Sequence, residues 1–120
     1  MAIERPRILI VEDDVDSWKL LEIAVHRARP EAAIQWASDA ESARLALESC
    51  QFDAVLADFT LADSINGWRV LSECRRLQPT ARVGMTSALP LRPPPSESCP
   101  FLQKPFELAS CVAFVGELLA

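Results

Sequence analysis

The chain alternates short apolar runs with longer amphipathic stretches from one end to the other, and few architectures accommodate that alternation. Arg7 to Val11 (RILIV) is a continuous apolar run following Pro6, short enough for a strand buried on both faces. From Asp16 onward, Trp18, Leu21, Val25 and Ala28 recur at helical spacing until Pro30 closes the segment. Ala33 to Ala37 reads as a second strand. Ser38, with Glu41 three residues on, is a capping-box signature that opens a helix through Ala43 and Leu47. Asp53 to Ala57 (DAVLA) is a third apolar strand. Gly67 introduces a run in which Val70, Cys74 and Leu77 share a helical face, ended by Pro79. Arg82 to Met85 and Phe101 to Gln103 give the fourth and fifth strands, and Leu108, Cys111, Val115 and Leu118 make a last amphipathic helix.

Strands separated by helices need crossover connections, which produce a parallel sheet covered on both faces. The expected fold is therefore a three-layer α/β/α domain. At 120 residues, half of them hydrophobic, the chain supplies one core and leaves no room for an effector domain, so residues 1–120 are expected to be a single domain. Twelve Lys and Arg against seventeen Asp and Glu give a net charge of -5, which offers no basic surface for nucleic acid. No apolar run approaches the roughly 20 residues that span a bilayer. The N-terminus lacks a signal-peptide core, so a soluble, cytoplasmic protein with no membrane association is expected. Cys50, Cys74, Cys99 and Cys111 are widely spaced, without a C-x-x-C pair, and read as reduced packing residues. His26 lies in a helical run with no catalytic neighbour, and Trp18, Trp36 and Trp68 read as structural.

In an open parallel sheet, functional groups gather beyond the carboxyl ends of the strands. Glu12, Asp13 and Asp14 follow the first strand and Asp58 follows the third, while Thr86 ends the fourth and Lys104 the fifth. Carboxylates converging at one edge repel each other unless a hard cation neutralises them, and oxygen donors of this kind suit Mg2+. One carboxylate can then act as a nucleophile toward phosphorus while the cation and a Lys ammonium stabilise the phosphoryl oxygens. Asp58 stands alone on its strand and is the natural nucleophile. Asp14 and Asp16 are most simply carboxylates at a helix N-terminus.

The segments ILIVEDD (Ile8 to Asp14), AVLADFTL (Ala54 to Leu61), MTSA (Met85 to Ala88) and QKPF (Gln103 to Phe106) together resemble the four signatures of receiver domains of two-component response regulators. The resemblance spans essentially the whole chain, one signature per strand end. It implies a five-stranded, doubly wound sheet in the flavodoxin-like order 2-1-3-4-5. It further implies that Glu12 and Asp13 hold Mg2+ (or Mn2+), with Asp58 and the backbone carbonyl of Thr60 as further ligands. Asp58 would be the phosphoacceptor, Thr86 would hydrogen-bond the phosphoryl group and Lys104 would pair with it. Phe101 occupies the place of a switch aromatic whose rotamer follows Thr86, although a plain core role suits a Phe equally well. The implied partners are a sensor histidine kinase or a histidine phosphotransfer protein, an unknown downstream protein and a possible homodimer. The domain would be a signalling module, and an enzyme only toward its own phosphorylation and dephosphorylation.

One departure from the family concerns Ser87 to Pro100, where five of the nine prolines fall. Pro in a helix interior costs about 3 kcal/mol, so the fourth helix of the family pattern is expected to be short or replaced by a loop. Other chemistries fit less well. An aspartate-nucleophile phosphatase needs a second Asp two residues after the first, where this chain has Thr60. Flavin and Walker-type nucleotide sites lack their phosphate loops. The remaining rival is a pseudo-receiver, a binding module that signals without phosphorylation.

Overall fold

The structure is a computed structural model that describes residues 5–59, 67–88 and 99–120. In chain order its elements are β1 (Arg7–Val11), α1 (Val15–Ala28), β2 (Ala33–Ala37), α2 (Ala40–Ser49), β3 (Ala54–Asp58), α3 (Gly67–Leu77), β4 (Arg82–Ser87), β5 (Phe101–Gln103) and α4 (Leu108–Leu119). The five strands form one sheet in the order β2-β1-β3-β4-β5, and every neighbouring pair is parallel. This is the doubly wound order expected above.

Both faces of the sheet are covered, and the side-chain alternation of β1 shows how. Leu9 and Val11 point to one face, where they join Val55, Val83 and Met85 against Ala43 and Leu47 of α2 and Val70 and Cys74 of α3. Ile8 and Ile10 point to the other, where Leu56 also lies, against Leu21 and Val25 of α1 and Phe114, Val115 and Leu118 of α4. Because successive strand residues alternate faces, a central strand must be apolar throughout, which is why RILIV and AVLA read as continuous runs. Gly84 in β4 leaves room for α4, since a Cβ there would stand 2.7 Å from Phe114 Cζ.

Three boundaries differ from the sequence reading. The cap of α2 is Asp39, not Ser38; its side chain accepts from the Ser42 amide at 2.7 Å, and the Asp39 amide donates to Ser42 Oγ at 3.3 Å. A carboxylate caps as well as a hydroxyl and also meets the helix dipole, while Glu41 is released to pair with Arg44 and with Arg69 of α3. β3 begins one residue later than expected and extends through Asp58, and β4 runs on to Ser87. Polar residues there remain in the ladder, Asp58 pairing with Thr86 and Ser87 with Gln103.

Gln78, just past α3, is buried. Its amide nitrogen donates to the carbonyls of Leu47 and Cys50, and its Oε1 accepts from the Phe52 amide at 2.7 Å. One side chain thus satisfies the end of α2 and the entry to β3. Of the Pro-rich stretch, Ala88, Cys99 and Pro100 lie outside helix, and residues 89–98 fall outside the described residues. Among the described residues no helix is long and apolar enough to cross a membrane, and all four cysteines are unbridged.

Candidate functional site

The ladder delivers the site residues to one edge. Val11 pairs with Ala57, so the next rung sets Glu12 beside Asp58, and Asp58 in turn pairs with Thr86. Ser87 pairs with Gln103, and the Lys104 amide donates to the Ser87 carbonyl at 2.8 Å. Four strands that are remote in sequence therefore present their carboxyl ends side by side.

Glu12 and Asp58 are buried and Asp13 is exposed. One carboxylate oxygen from each lies within 4.8 Å of the others. Lys104 Nζ bridges the two buried acids, 2.5 Å from Glu12 Oε1 and 2.9 Å from Asp58 Oδ2. The other Glu12 oxygen accepts from the amides of Asp13 (3.1 Å) and Asp14 (3.3 Å). Burial pushes the Glu12 carboxyl up to about 8, a rise that the Lys104 hydrogen bond opposes and the neighbouring Asp58 charge assists. Lys104 feels burial in the opposite sense, but its bonds to Glu12 and Asp58 outweigh that and hold its pKa above the ordinary lysine value. The ammonium is thus firmly charged, and the acids around it carry competing demands for one cation.

The donor set suits a hard divalent ion. Three carboxylates offer only oxygen, which Mg2+ prefers, and one of them faces solvent, where the ion could keep part of its water shell. Thr86 Oγ1 is buried beside this cluster without a hydrogen-bond partner among the described residues, leaving a donor at the site with unused capacity. Thr60, whose carbonyl the resemblance implicates, lies outside the described residues. Phe101 packs at the edge of the α2–α3 core, its ring 6.1 Å from that of Phe59, which also meets Trp68 at 4.5 Å. Asp14 caps α1 by accepting from the Ser17 hydroxyl at 2.7 Å and the Ser17 amide at 3.0 Å, and these bonds hold its carboxyl below the usual range. Beside Lys104 a cleft opens between α1 and the β5–α4 connection, walled by Leu20, Pro105 and Phe106, with Asp16 and Ser17 at its rim.

One participant, Trp36, reads from the sequence only as a structural residue. The indole Nε1 of Trp36 donates to the Glu12 carbonyl at 2.7 Å, and the Trp36 ring packs against Trp18 of α1 at 5.3 Å. Sheet order is the signal that could have found it, because β2 borders β1 and Trp36 pairs with Ile10, two residues before Glu12.

No protein-family model matches the chain, and no curated protein matches it in sequence. Solved structures do match its fold. A response regulator receiver domain protein (CheY-like) from Methanospirillum hungatei JF-1 superposes with a TM-score of 0.76 at 20% identity, over 95% of this chain and 93% of that one. A response regulator from Thermotoga maritima gives 0.76 at 16% identity, over 96% and 98%. The receiver domain of a sensor histidine kinase from Pseudomonas aeruginosa PAO1, solved with a magnesium ion coordinated in its active site cleft, gives 0.76 at 19% identity, over 95% and 97%. With the sheet order, the paired helical layers and these superpositions in agreement, the chain has the fold of the response regulator receiver domains.

Proposed function

We propose that this domain is a phosphoacceptor receiver module, taking a phosphoryl group onto Asp58 in a two-component relay. The observation that carries the reading is the position of Lys104 Nζ, within hydrogen-bonding distance of both Asp58 and Glu12 at the carboxyl edge of the sheet. A structural lysine has no need of two buried carboxylates, whereas a phosphoryl acceptor needs a cation that stays beside the nucleophile.

In this reading an Asp58 carboxylate oxygen forms a bond to phosphorus as the bond from phosphorus to the donor breaks, the donor's leaving atom keeping the electron pair. Glu12, Asp13 and Asp58 would hold Mg2+, with the Thr60 carbonyl completing the protein ligands. When bound, the ion neutralises the carboxylates and the incoming phosphoryl oxygens. Lys104 exchanges its contact with Asp58 Oδ2 for a phosphoryl oxygen, and the unpartnered Thr86 hydroxyl donates to another. Phe101 would follow Thr86 as a switch. The donor would be the phosphohistidine of a kinase or phosphotransfer protein, approaching over the apolar cleft beside Lys104. A downstream protein would read the phosphorylated state.

The test is incubation with acetyl phosphate and Mg2+, followed by mass spectrometry. The expected result is one added phosphoryl group, sensitive to hydroxylamine and located on the Asp58 peptide, and none in Asp58→Asn. Asp13→Ala should raise the Mg2+ concentration needed. Wild-type protein that stays unmodified with saturating donor and Mg2+ would instead make the domain a pseudo-receiver.

A further inference from the structure

We infer that Trp36 is a positioning residue for the acidic site, setting the orientation of the Glu12–Asp13 peptide and through it the direction in which Asp13 presents its carboxylate. The inference rests on the reading of Glu12, Asp13 and Asp58 as cation ligands.

The contacts converge on one peptide group. The Glu12 amide donates to the Ala37 carbonyl at 3.0 Å, and the Glu12 carbonyl accepts from Trp36 Nε1 at 2.7 Å. Both backbone polar groups of Glu12 are therefore held by the last two residues of β2. In a planar trans peptide the C=O and the following N–H point in opposite directions. With its carbonyl drawn toward the indole, the Glu12–Asp13 unit turns the Asp13 N–H back onto Glu12 Oε2, where it donates at 3.1 Å. The same carboxylate gives its other oxygen to Lys104. Loss of the indole bond frees the plane to rotate, and that rotation displaces Asp13 and withdraws a donor from Glu12.

The choice of residue fits this role. Trp36, 44% exposed on an edge strand, reaches the neighbouring strand end with a donor that lacks any acceptor function. Trp18 packs against it from α1, the ring centroids 5.3 Å apart. Trp18 Nε1 itself is buried without a hydrogen-bond partner among the described residues, so the two indoles differ in the one property that matters here.

That difference supplies the control. Mg2+ titrations followed through the backbone amide resonances of Asp13 and Asp58 should give a midpoint about three- to tenfold higher for Trp36→Phe than for wild type, the range expected for one hydrogen bond. Trp18→Phe, which removes a similar ring and an unbonded N–H, should stay within about twofold. Equal midpoints for Trp36→Phe and wild type would overturn the inference, and so would equal shifts in the two variants, which would mark aromatic packing as the cause. Should Trp36→Phe fail to fold, hydrogen exchange in the wild type decides: the Trp36 indole N–H should exchange at least about tenfold more slowly than a free indole, and free exchange overturns the inference. A wild type that shows no saturable Mg2+ response fails the metal-site reading itself, while slow exchange and a displaced Asp13 amide in cation-free Trp36→Phe would still uphold the backbone clamp.

Discussion

The ammonium of Lys104 donates to Asp58 Oδ2 at 2.9 Å, joining residues 46 positions apart in the chain. With Glu12 on its other side, Lys104 is the counter-charge that keeps two buried acids together before any cation arrives. Removing one partner of a buried ionic cluster leaves the others uncompensated. Lys104→Met is expected to destabilise the protein in EDTA at pH 7 by on the order of 3 kcal/mol. Mg2+ at these carboxylates should then restore more stability to the variant than it adds to wild type. Urea unfolding with and without Mg2+ measures both effects, and coincident midpoints in EDTA would show that the lysine is not holding the acids.

Gly84→Ala tests the contact between the sheet and α4. The new methyl would stand 2.7 Å from Phe114 Cζ, 3.2 Å from Leu118 Cδ2 and 3.3 Å from Leu56 Cδ2. Overpacking of this kind costs about 1–3 kcal/mol. Thermal unfolding should shift downward, and Phe114→Leu in the same protein should recover part of the loss by vacating the ring position.

Gln78→Ala addresses a buried polar junction. It strands the Leu47 and Cys50 carbonyls and the Phe52 amide, each of which now has Gln78 as a partner. A buried group left unsatisfied costs about 1–3 kcal/mol, so a loss of at least about 2 kcal/mol is expected for this set. A change below the error of a urea titration would mean that water replaces the amide there.

Much of the fold was legible because burial on both faces writes itself as unbroken apolar runs. The same rule explains where reading stopped short. Asp58, Thr86 and Ser87 are polar, so a hydropathy pattern ends β3 and β4 too early, although each residue still takes part in the ladder. Ser38 and Asp39 are adjacent capping residues, and local preference does not choose between them; Ser42, at the third helical position, does. Glu12, Asp13, Asp58 and Lys104 were singled out by lying at strand ends, and the structure brings all four together. Trp36 and Gln78 act through partners 24 to 31 residues away, and no local pattern encodes such bonds.

The cap of α2 gives a pH dependence. Bonds from the Ser42 amide and hydroxyl hold the Asp39 carboxyl below its ordinary value of 3.8. A group whose pKa is depressed by folding contributes stability above its unfolded pKa and loses that contribution as pH falls through the folded one. Asp39→Asn keeps a cap acceptor but cannot titrate. The variant should therefore lose less stability than wild type between pH 5 and about pH 2.5, a difference that thermal melts across the acid range would reveal. Parallel acid limbs for the two proteins would remove Asp39 from the account.

The pairing of Asp58 with Thr86, and of Ser87 with Gln103, makes the site an address on a grid of rungs. Distances between its members are set by strand spacing, about 4.8 Å from one strand to the next, and not by how much chain runs between them. Connections on the outside of that grid can lengthen, shorten or change composition while the residues on its rungs keep their neighbours. The segment that follows Ala88 can thus be rewritten while Glu12, Asp58, Thr86 and Lys104 keep their places on the rungs.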